Sequence, residues 1–456
     1  MRPPVLLAAS VLLAAAASAA TAAPQVPVPR AAFVITGGGW GHGVGMSQWG
    51  AYGQALQGRT SGQILATYYP GTSSGETALR KVRVLVVPRA KALKITSAAP
   101  FRVRDASGEV VALPPGELSL GPGLALSVDG ERRTLAAPVA VKPGAGVPLT
   151  IAGKGYRGEL RVTSDGKALQ VVNVVALEAY LLGVVPGEMP AHWPLEALKA
   201  QAIAARTYAV ASLVNEKDFD LYSDWRSQVY HGTASEAPGP TKAVTETRGR
   251  ILTFAGQPAL TFYYSSSGGR TRSALDTFGL DLPYLKPVPD PWDAVDGNPN
   301  HLWDASLLTG KQLMKALGLA SPVTDVVTER GTDGRPALVR FTTARGTTTE
   351  VSARDVRTKL ALRSTSFRLG VLQLLPPSGR VEAGRAVVLS GVVRDVAEPL
   401  LERREENGTW VRAKGIAPRA DGTFTVRVRP TATTVYRLSA AGLAGPRFTL
   451  AVGSAP

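Results

Sequence analysis

The sequence contains no cysteine and only four histidines, His42, His192, His231 and His301. The absence of cysteine excludes a disulfide framework, a thiolate metal site and a lipid attached at a cleavage-site cysteine. A structural zinc site normally uses four nitrogen or sulfur ligands, and no pair of these histidines has the HExxH spacing. The sequence therefore predicts no metal and no cofactor.

Long apolar runs are also scarce. The run from Val5 to Ala17 follows Arg2 and leads into a small-residue stretch ending at Ala23, which is the layout of a cleavable signal peptide over residues 1–23. After it, no segment approaches the roughly 20 apolar residues that a transmembrane helix needs. The sequence predicts a secreted, extracellular protein without a transmembrane anchor.

Acidic residues are outnumbered, with 35 Asp and Glu against 51 Lys and Arg, for a formal net charge of +16. Such an excess favours anionic partners. Export and the lack of a concentrated basic run argue against nucleic acid and for an anionic polymer or membrane surface. A diffuse charge that only keeps the protein soluble remains an open alternative.

Glycine is abundant in one segment, residues 33–75, where nine glycines lie between positions 37 and 58. This density favours irregular backbone that approaches a ligand or another segment closely. The local pattern predicts one short helix from Ser47 to Leu56 and another from Ser61 to about Tyr68.

The length of 456 residues exceeds what one core usually supports, so we expect two or three domains. Their patterns predict an α+β fold. Residues 76–170 alternate short β-branched runs with turns and predict a β-rich subdomain. Residues 171–370 predict a core with a short helix over 176–182, closed by Gly183, and a long central helix of about six turns from Pro194. Residues 375–456 predict a small immunoglobulin-like sandwich.

The segment VVNVVALEAYLLGVVPGEMPAHWPLEALKAQAIAARTYAV, residues 171–210, closely resembles the signature of the SpoIID/LytB family. Three further stretches agree with it: SQVYHG at 227–232, FYYSSSGGRTRSA at 262–274, and the glycine-rich stretch that begins GHGVGMSQWGAYG at 41–72. The resemblance covers roughly residues 33–368.

The resemblance implies a cell-wall protein with peptidoglycan lytic transglycosylase activity, which cleaves between N-acetylmuramic acid and N-acetylglucosamine and forms an anhydro sugar. The family's catalytic glutamate lies in an EMP triplet, here Glu188-Met189-Pro190. A carboxyl in apolar surroundings has the raised pKa that protonation of a leaving oxygen requires. Residue type alone favours another role for Glu188, a cap on the helix beginning near Pro194; the motif reverses that preference.

Several polar residues in these motifs are candidates for binding a glycan through hydroxyl and amide groups. They are Gln201, Gln228, Tyr230, Ser265, Ser266, Ser267, Thr271, His42 and Gln48. Serine-rich turns are often only turns, and a lone histidine is often incidental.

Lys199 and Arg206 share one helical face and are candidates for a supporting role. Buried cations need partners. They either hold Glu188 or a substrate carboxylate, or they form structural ion pairs with Glu178 or Glu196.

The chain departs from the family pattern in two ways. In relatives the GHGVGMSQ stretch commonly follows the EMP core, whereas here it precedes it; chain termini are often neighbours, so we expect residues 41–72 to pack beside Glu188. Some relatives also carry cysteines near the QVYxG motif that could bind zinc with a histidine, and this chain has none.

The expected partners are peptidoglycan glycan strands and anionic wall polymers. An alternative function, implied by the LytB side of the family, is a non-catalytic wall-binding protein that enhances or recruits an amidase. A purely structural wall component is a third alternative.

Overall fold

The computed structural model describes residues 30–453 except 129, 145, 214–217, 332, 376 and 378–379. The predicted signal peptide, residues 1–23, lies outside the described residues. The described chain is a mixed α+β protein, as predicted. None of its described helices combines the length and apolar character that crossing a membrane requires.

The N-terminal part contains both helices predicted for it. Its elements are β1 (Arg30–Gly37), β2 (Met46–Ser47), α1 (Gln48–Leu56), α2 (Ser61–Tyr68) and β3 (Ser73–Glu76). The Ser47 side chain accepts a hydrogen bond from the Gly50 N–H, and Thr60 and Gln63 form a reciprocal capping box. Local capping therefore fixes where each helix begins.

The next part consists of short strands, as the alternating pattern predicts. They are β4 (Lys81–Ala90), β5 (Leu93–Ser97), β6 (Phe101–Arg104), β7 (Val110–Leu113), β8 (Gly116–Leu120), β9 (Ala125–Val128), β10 (Glu131–Thr134), β11 (Val139–Pro143), β12 (Leu149–Ile151), β13 (Lys154–Tyr156), β14 (Glu159–Ser164) and β15 (Leu169–Ala176).

The motif-bearing part follows directly from β15. Its elements are α3 (Leu177–Glu188), α4 (Leu195–Ala211), β16 (Leu221–Tyr222), α5 (Pro238–Glu246), β17 (Arg250–Phe254), β18 (Gln257–Pro258), β19 (Tyr263–Tyr264) and α6 (Ala274–Phe278), with 3₁₀ turns at Gly232–Ser235 and Pro291–Asp293. The prediction that Gly183 closes the first helix is wrong, because α3 continues through it to Glu188. The predicted helix from Pro194 is present as α4 but is shorter than the predicted six turns, because it ends at Ala211 and residues 212 and 213 are not helical. Residues 214–217, which the prediction also included, lie outside the described residues.

The last part alternates strands with two helices. Its elements are β20 (Ser306–Thr309), α7 (Gly310–Leu317), β21 (Val323–Arg330), β22 (Pro336–Thr343), β23 (Thr348–Ser352), α8 (Ala353–Lys359), β24 (Phe367–Leu375), β25 (Val387–Arg394), β26 (Leu400–Arg404), β27 (Trp410–Gly415), β28 (Thr423–Val428), β29 (Thr434–Ala440) and β30 (Leu443–Leu450).

Two hydrophobic cores meet at α4. The sheet with strand order β16-β4-β15-β14-β11-β6-β7 forms one core together with α3 and one side of α4, which contributes Ala202, Ala205 and Ala209. The other side of α4, with Ala200 and Ala204, belongs to a second core that includes α1 and α2. Alanine side chains are small, so elements on both sides approach the helix backbone closely. The first core carries Glu188 at the end of α3, and the second brings the glycine-rich segment to α4.

The N-terminal strand joins the C-terminal strands. A five-stranded sheet has the order β20-β1-β24-β25-β28, and it faces a second sheet of order β27-β26-β29-β30. Buried side chains from both sheets, including Leu372, Leu401 and Phe424, fill the space between them. Because β24 pairs with both β1 and β25, the sheet is continuous across residues 370–375. The predicted domain boundaries and the immunoglobulin-like assignment stay predictions.

Candidate active site around Glu188

The end of α3 places Glu188. Met189 precedes Pro190, and a residue before proline is pushed out of the helical region by the proline ring. Met189 accordingly adopts φ −134° and ψ 135°, so Glu188 is the last helical residue. The carboxyl therefore lies at the C-terminal end of α3, where the unpaired carbonyls and helix dipole disfavour a negative charge.

Two glycines on one face of α3 let the SQVYHG segment lie directly against the helix. A Cβ at Gly183 would come within 2.7 Å of the Tyr230 ring and of the Gly232 carbonyl, and one at Gly187 within 3.1 Å of the Val229 carbonyl. Gly183 thus serves close packing rather than helix termination. This approach brings the Val229 N–H within 2.9 Å of Glu188 Oε1, to which it donates a hydrogen bond.

A buried amide holds two tyrosines beside the carboxyl. Gln228 Oε1 accepts from the Tyr180 hydroxyl at 3.0 Å, and its Nε2 donates to the Tyr263 hydroxyl at 2.8 Å and to the Ala205 carbonyl at 3.1 Å. Because Tyr263 accepts from Gln228, its own proton is free to be donated, and the hydroxyl lies close enough to Glu188 to lower the pKa of that carboxyl. Gln228 therefore fixes the direction of a hydroxyl that faces Glu188.

Burial raises the pKa of Glu188 above its ordinary value of 4.5, and the hydrogen bonds from Val229 and Tyr263 offset only part of this effect. Burial, followed by the nearby Glu188 charge, also raises the pKa of Tyr263 well above its usual range. The tyrosine stays a neutral donor while the carboxyl keeps its proton to higher pH. This is the electrostatic state that a general acid needs.

Helix α1 reaches this region through a cluster of aromatic rings. The Trp49 and Trp193 rings lie 4.8 Å apart and those of Tyr52 and Trp193 lie 4.7 Å apart, measured between centroids. Trp193 follows the EMP triplet in the connection between α3 and α4. The structure thus packs α1, from the glycine-rich segment, against the chain that leaves Glu188.

Gln48 and Gln201 meet across the α1–α4 contact. Gln48 Nε2 donates to Gln201 Oε1 at 3.4 Å, and both side chains are buried. Gln201 Nε2 is buried without a hydrogen-bond partner among the described residues. Both N–H donors of the Gln201 amide are therefore unused within the described part of the chain.

The GHGVGMSQ segment has a glycine at every second position for a conformational reason. Gly41, Gly43 and Gly45 all have positive φ, at 118°, 87° and 76°, a region that side chains disfavour. The repeated left-handed turns let the segment run alongside β19, where Met46 pairs with Tyr263.

His42 lies on the other side of β19 from Glu188. Neighbouring residues of a strand point to opposite faces: the Tyr263 hydroxyl contacts Gln228, whereas the His42 ring packs 5.3 Å from the Tyr264 ring. His42 Nδ1 accepts from the Val44 N–H and its Nε2 lies 3.1 Å from the Tyr263 carbonyl. Burial lowers the pKa of His42 to about 4, so the ring is neutral and both nitrogens are used within the protein.

A second buried carboxylate, Asp293, was not predicted from the sequence. Its oxygens accept from the hydroxyls of Ser47 and Ser266 and from the N–H groups of Ser267 and Gly268, all at 2.9 Å, and His301 Nδ1 lies at the same distance. Asp293 ties the glycine-rich segment to the serine-rich segment. We call this arrangement the Asp293 clamp.

Asp290 lies near the clamp and was also missed. It accepts from the Tyr68 hydroxyl at 2.8 Å, while its Oδ2 is buried without a hydrogen-bond partner among the described residues. Burial and the neighbouring Asp293 charge raise the pKa of Asp290 to about 6. Both aspartates lie in the run PVPDPWD, where prolines interrupt any periodic signal that could have revealed their burial.

Lys199 and Arg206 form ion pairs with glutamates other than Glu188. Arg206 is fully buried and binds both oxygens of Glu178, at 2.7 and 2.9 Å. Lys199 lies 2.8 Å from Glu196 and 2.7 Å from Glu246. The structure therefore agrees with the second alternative, in which both cations pair with glutamates other than Glu188.

The other predicted binding residues have internal partners or partial exposure. The Tyr230 hydroxyl donates to Asn173, Thr271 accepts from the Val288 N–H, and Ser267 accepts from the Gly269 N–H. Ser265 is half-buried, and its carbonyl accepts from the Trp49 N–H. Their assignment to glycan binding stays a prediction.

The helix-cap alternative for Glu188 does not match this geometry. The residue before α4, Pro194, makes no side-chain cap, and Glu188 instead ends α3 and accepts from Val229. The described site is a single, mostly desolvated carboxyl at a helix C-terminus, faced by a tyrosine hydroxyl of fixed orientation. Such a group can donate a proton and take one back.

Comparison with known sequences places this site in a family. Residues 165–254, which include α3, α4 and the SQVYHG segment, match the SpoIID family, described as "Stage II sporulation protein". The chain is 33% identical over 222 residues to the "Stage II sporulation protein D" of Bacillus subtilis (strain 168), a match that covers 44% of this chain and 62% of that protein.

Two further relatives match shorter stretches. An uncharacterized protein of Brachyspira hyodysenteriae is 39% identical over 140 residues, 30% of this chain and 38% of that protein. The "Amidase enhancer" of Bacillus subtilis is 35% identical over 142 residues, 31% of this chain and 19% of that protein. The chain thus spans at most 62% of the length of these relatives.

The fold and the site together define an α+β protein built around a SpoIID-type domain, whose helices α3 and α4 carry the EMP glutamate and the alanine-rich motif. Residues 165–254 are thus similar to the SpoIID family, and the chain resembles relatives named stage II sporulation protein D and amidase enhancer.

Proposed function

We propose that this protein is a secreted peptidoglycan lytic transglycosylase that cleaves the bond between N-acetylmuramic acid and N-acetylglucosamine, with Glu188 as its acid and base. The observation that carries the proposal is the state of the Glu188 carboxyl. It is largely buried, its pKa is raised, it accepts one backbone N–H from Val229, and the Tyr263 hydroxyl lies beside it.

The proposed reaction uses this carboxyl twice. Glu188 first donates its proton to the glycosidic oxygen as the bond to the anomeric carbon breaks. The resulting carboxylate then takes the proton of the muramic acid's own hydroxyl, whose oxygen closes on the anomeric carbon to form the anhydro sugar. The proton returns to Glu188 and no water is consumed, so the reaction does not need the second carboxylate of most glycosidases.

The orientation of Tyr263 suits both halves of this cycle. Its hydroxyl donates to the Glu188 carboxylate that forms after proton transfer, and Gln228 holds it in that direction. A donor positioned before the reaction stabilises developing charge without reorganisation. Tyr263 is therefore assigned as a positioning residue in the proposed mechanism.

Identification of the released products tests the proposal. Purified chain without residues 1–23 is incubated with peptidoglycan, with and without peptide stems, and the products are identified by mass spectrometry. We expect anhydro-muropeptides or anhydro-glycans from the unmodified chain and from Glu76→Gln, a matched control at an exposed glutamate, but not from Glu188→Gln. Anhydro products from Glu188→Gln at the unmodified rate would refute the role of Glu188.

A second candidate function rests on the match to the amidase enhancer of Bacillus subtilis. In that case the protein binds the wall and stimulates a separate amidase without cutting glycan. Wall binding and amidase stimulation that persist in Glu188→Gln, with no anhydro product from any variant, would favour this function over the first.

A further inference from the structure

A cavity of about 500 Å³ lies between α6 and α8, on the side of β19 that carries His42. Four arginines line it, Arg272, Arg335, Arg354 and Arg357, and we call it the arginine cavity. The Glu188 carboxyl lies on the opposite side of β19, where Tyr263 points toward Gln228. The cavity is therefore separate from the candidate active site.

Two of the arginines are held in place by the protein. Arg272 Nη1 donates to Thr365 Oγ1 at 2.7 Å, and Arg335 donates to the carbonyls of Ser267 and Arg270. Arg272 Nε lies 3.5 Å from the Asp333 carboxylate, too far for a good hydrogen bond. Immobilised guanidinium groups lose little further entropy when a ligand binds.

Two donors of the cavity are buried without hydrogen-bond partners among the described residues. They are Arg272 Nε and Thr277 Oγ1, and both residues line the cavity. A buried polar group without a partner costs free energy, roughly 1–3 kcal/mol. A ligand with several acceptor oxygens would satisfy both groups.

The cavity also has an excess of positive charge. Its four guanidinium groups face only two carboxylates, those of Asp276 and Asp333, which leaves two positive charges unmatched. Burial, together with the nearby charge of Arg354, lowers the pKa of Arg357. Burial also lowers the pKa of Arg335. The cations are crowded, and an anion between them would relieve their repulsion.

We propose that the arginine cavity binds a phosphate group. Guanidinium groups pair with phosphate oxygens through two parallel hydrogen bonds, and a phosphate carries one or two negative charges, which matches the unpaired charge. The cavity volume lies in the range of small-molecule sites and leaves room for a substituent on the phosphate. A phosphodiester of a glycerol phosphate polymer and free inorganic phosphate are the two sources of this chemistry.

The proposal is tested by calorimetric titration of the chain without residues 1–23, first with inorganic phosphate and then with a glycerol phosphate oligomer. Chloride at the same ionic strength provides the baseline. We expect saturable binding that weakens at least tenfold in Arg354→Gln and in Arg357→Gln. Arg345→Gln, a control in the exposed turn between β22 and β23, removes the same charge outside the cavity and should change affinity less than twofold.

Circular dichroism in phosphate-free buffer shows whether Arg357→Gln folds. If it does not fold, Arg354→Gln decides the test, because Arg354 is exposed. Equal weakening in Arg345→Gln, or unchanged binding in Arg354→Gln, overturns the proposal. Binding of the oligomer with at least the affinity of free phosphate supports a polymer source, and binding of free phosphate alone assigns the cavity to the small anion. Binding that persists in Glu188→Gln separates this site from the proposed cleavage.

Discussion

The regions around Glu188 and Asp293 each bury a carboxyl, and the protein surrounds the two groups in opposite ways. Asp293 receives two hydroxyls, two backbone N–H groups and a histidine nitrogen within 2.9 Å. Glu188 accepts one backbone N–H, and a single tyrosine hydroxyl, that of Tyr263, lies close enough to lower its pKa. Burial costs an ionised carboxyl free energy unless donors replace the lost water. The comparison indicates that Asp293 serves as a permanent acceptor, whereas Glu188 remains able to exchange a proton.

The largest expected effect separates the two carboxyls by activity. Glu188→Gln keeps the shape and the acceptor oxygen but removes the exchangeable proton, so glycan cleavage should fall by about 10²–10⁴-fold, the usual contribution of general acid–base catalysis. The measurement is the initial rate of anhydro-product release at matched protein concentration. Glu76→Gln, at an exposed site, should keep the unmodified rate. If the rate of product release falls by less than tenfold, Glu188 does not act as the exchanging acid, and the proposed difference from Asp293 is wrong.

The second largest expected effect is on the free energy of unfolding, which should depend on Asp293 more than on an exposed aspartate. Asp293→Ala removes the acceptor shared by five donors, and we expect the free energy of unfolding to fall by about 3–5 kcal/mol, as for a broken buried pair. Chemical denaturation measures the loss. The matched control Asp281→Ala lies at an exposed position and should change the stability by less than about 0.5 kcal/mol. Equal effects of the two substitutions would show that the clamp is not structural.

The packing that brings Val229 to Glu188 is expected to show a smaller effect. Gly183→Ala adds a methyl group 2.7 Å from the Tyr230 ring, and overpacking of this kind costs about 1–3 kcal/mol. The shift should also reduce glycan cleavage, because it displaces the Val229 N–H. Thermal unfolding and product release measure the two effects.

Gly62→Ala is the matched control for this substitution. Gly62 lies in α2, where an added Cβ would meet only Thr60 Oγ1, at 4.0 Å, so alanine there should be neutral or stabilising by up to about 1 kcal/mol. Equal destabilisation by both substitutions would mean that the contact at Gly183 has no special importance.

The difference between these positions also explains what the sequence could predict. The starts of α1 and α2 were predictable because the capping side chains, Ser47 and Thr60, lie within three residues of the groups they bind. The end of α3 was predicted wrongly, since a glycine also permits close packing, and the partner of Gly183 lies at Tyr230. Nothing near Gly183 in the sequence distinguishes these two uses.

In the candidate site, as in the helices, the sequence predicted local features and missed those that depend on contacts between distant residues. Glu188 could be proposed from its motif, as a local pattern. The Asp293 clamp could not, because Ser47 and Asp293 are 246 positions apart and their hydrogen bond depends on the tertiary fold. Tyr263 was missed because alternation along a two-residue strand carries too little signal to tell which face meets Glu188.

The smallest expected effect concerns the pH dependence of stability at Glu188. Because burial raises the pKa of Glu188 in the folded protein, ionisation favours the unfolded state as the pH rises above the ordinary value of 4.5. Glutamine cannot ionise and keeps the acceptor for Val229, so Glu188→Gln should have a higher Tm than the unmodified chain at pH 7. The difference should shrink toward zero below pH 4.5, where the carboxyl is protonated in both states. Thermal unfolding of both proteins from pH 4 to pH 8 measures it, and a lower Tm for Glu188→Gln at pH 7 would place Glu188 with Asp293 as a carboxylate the fold requires.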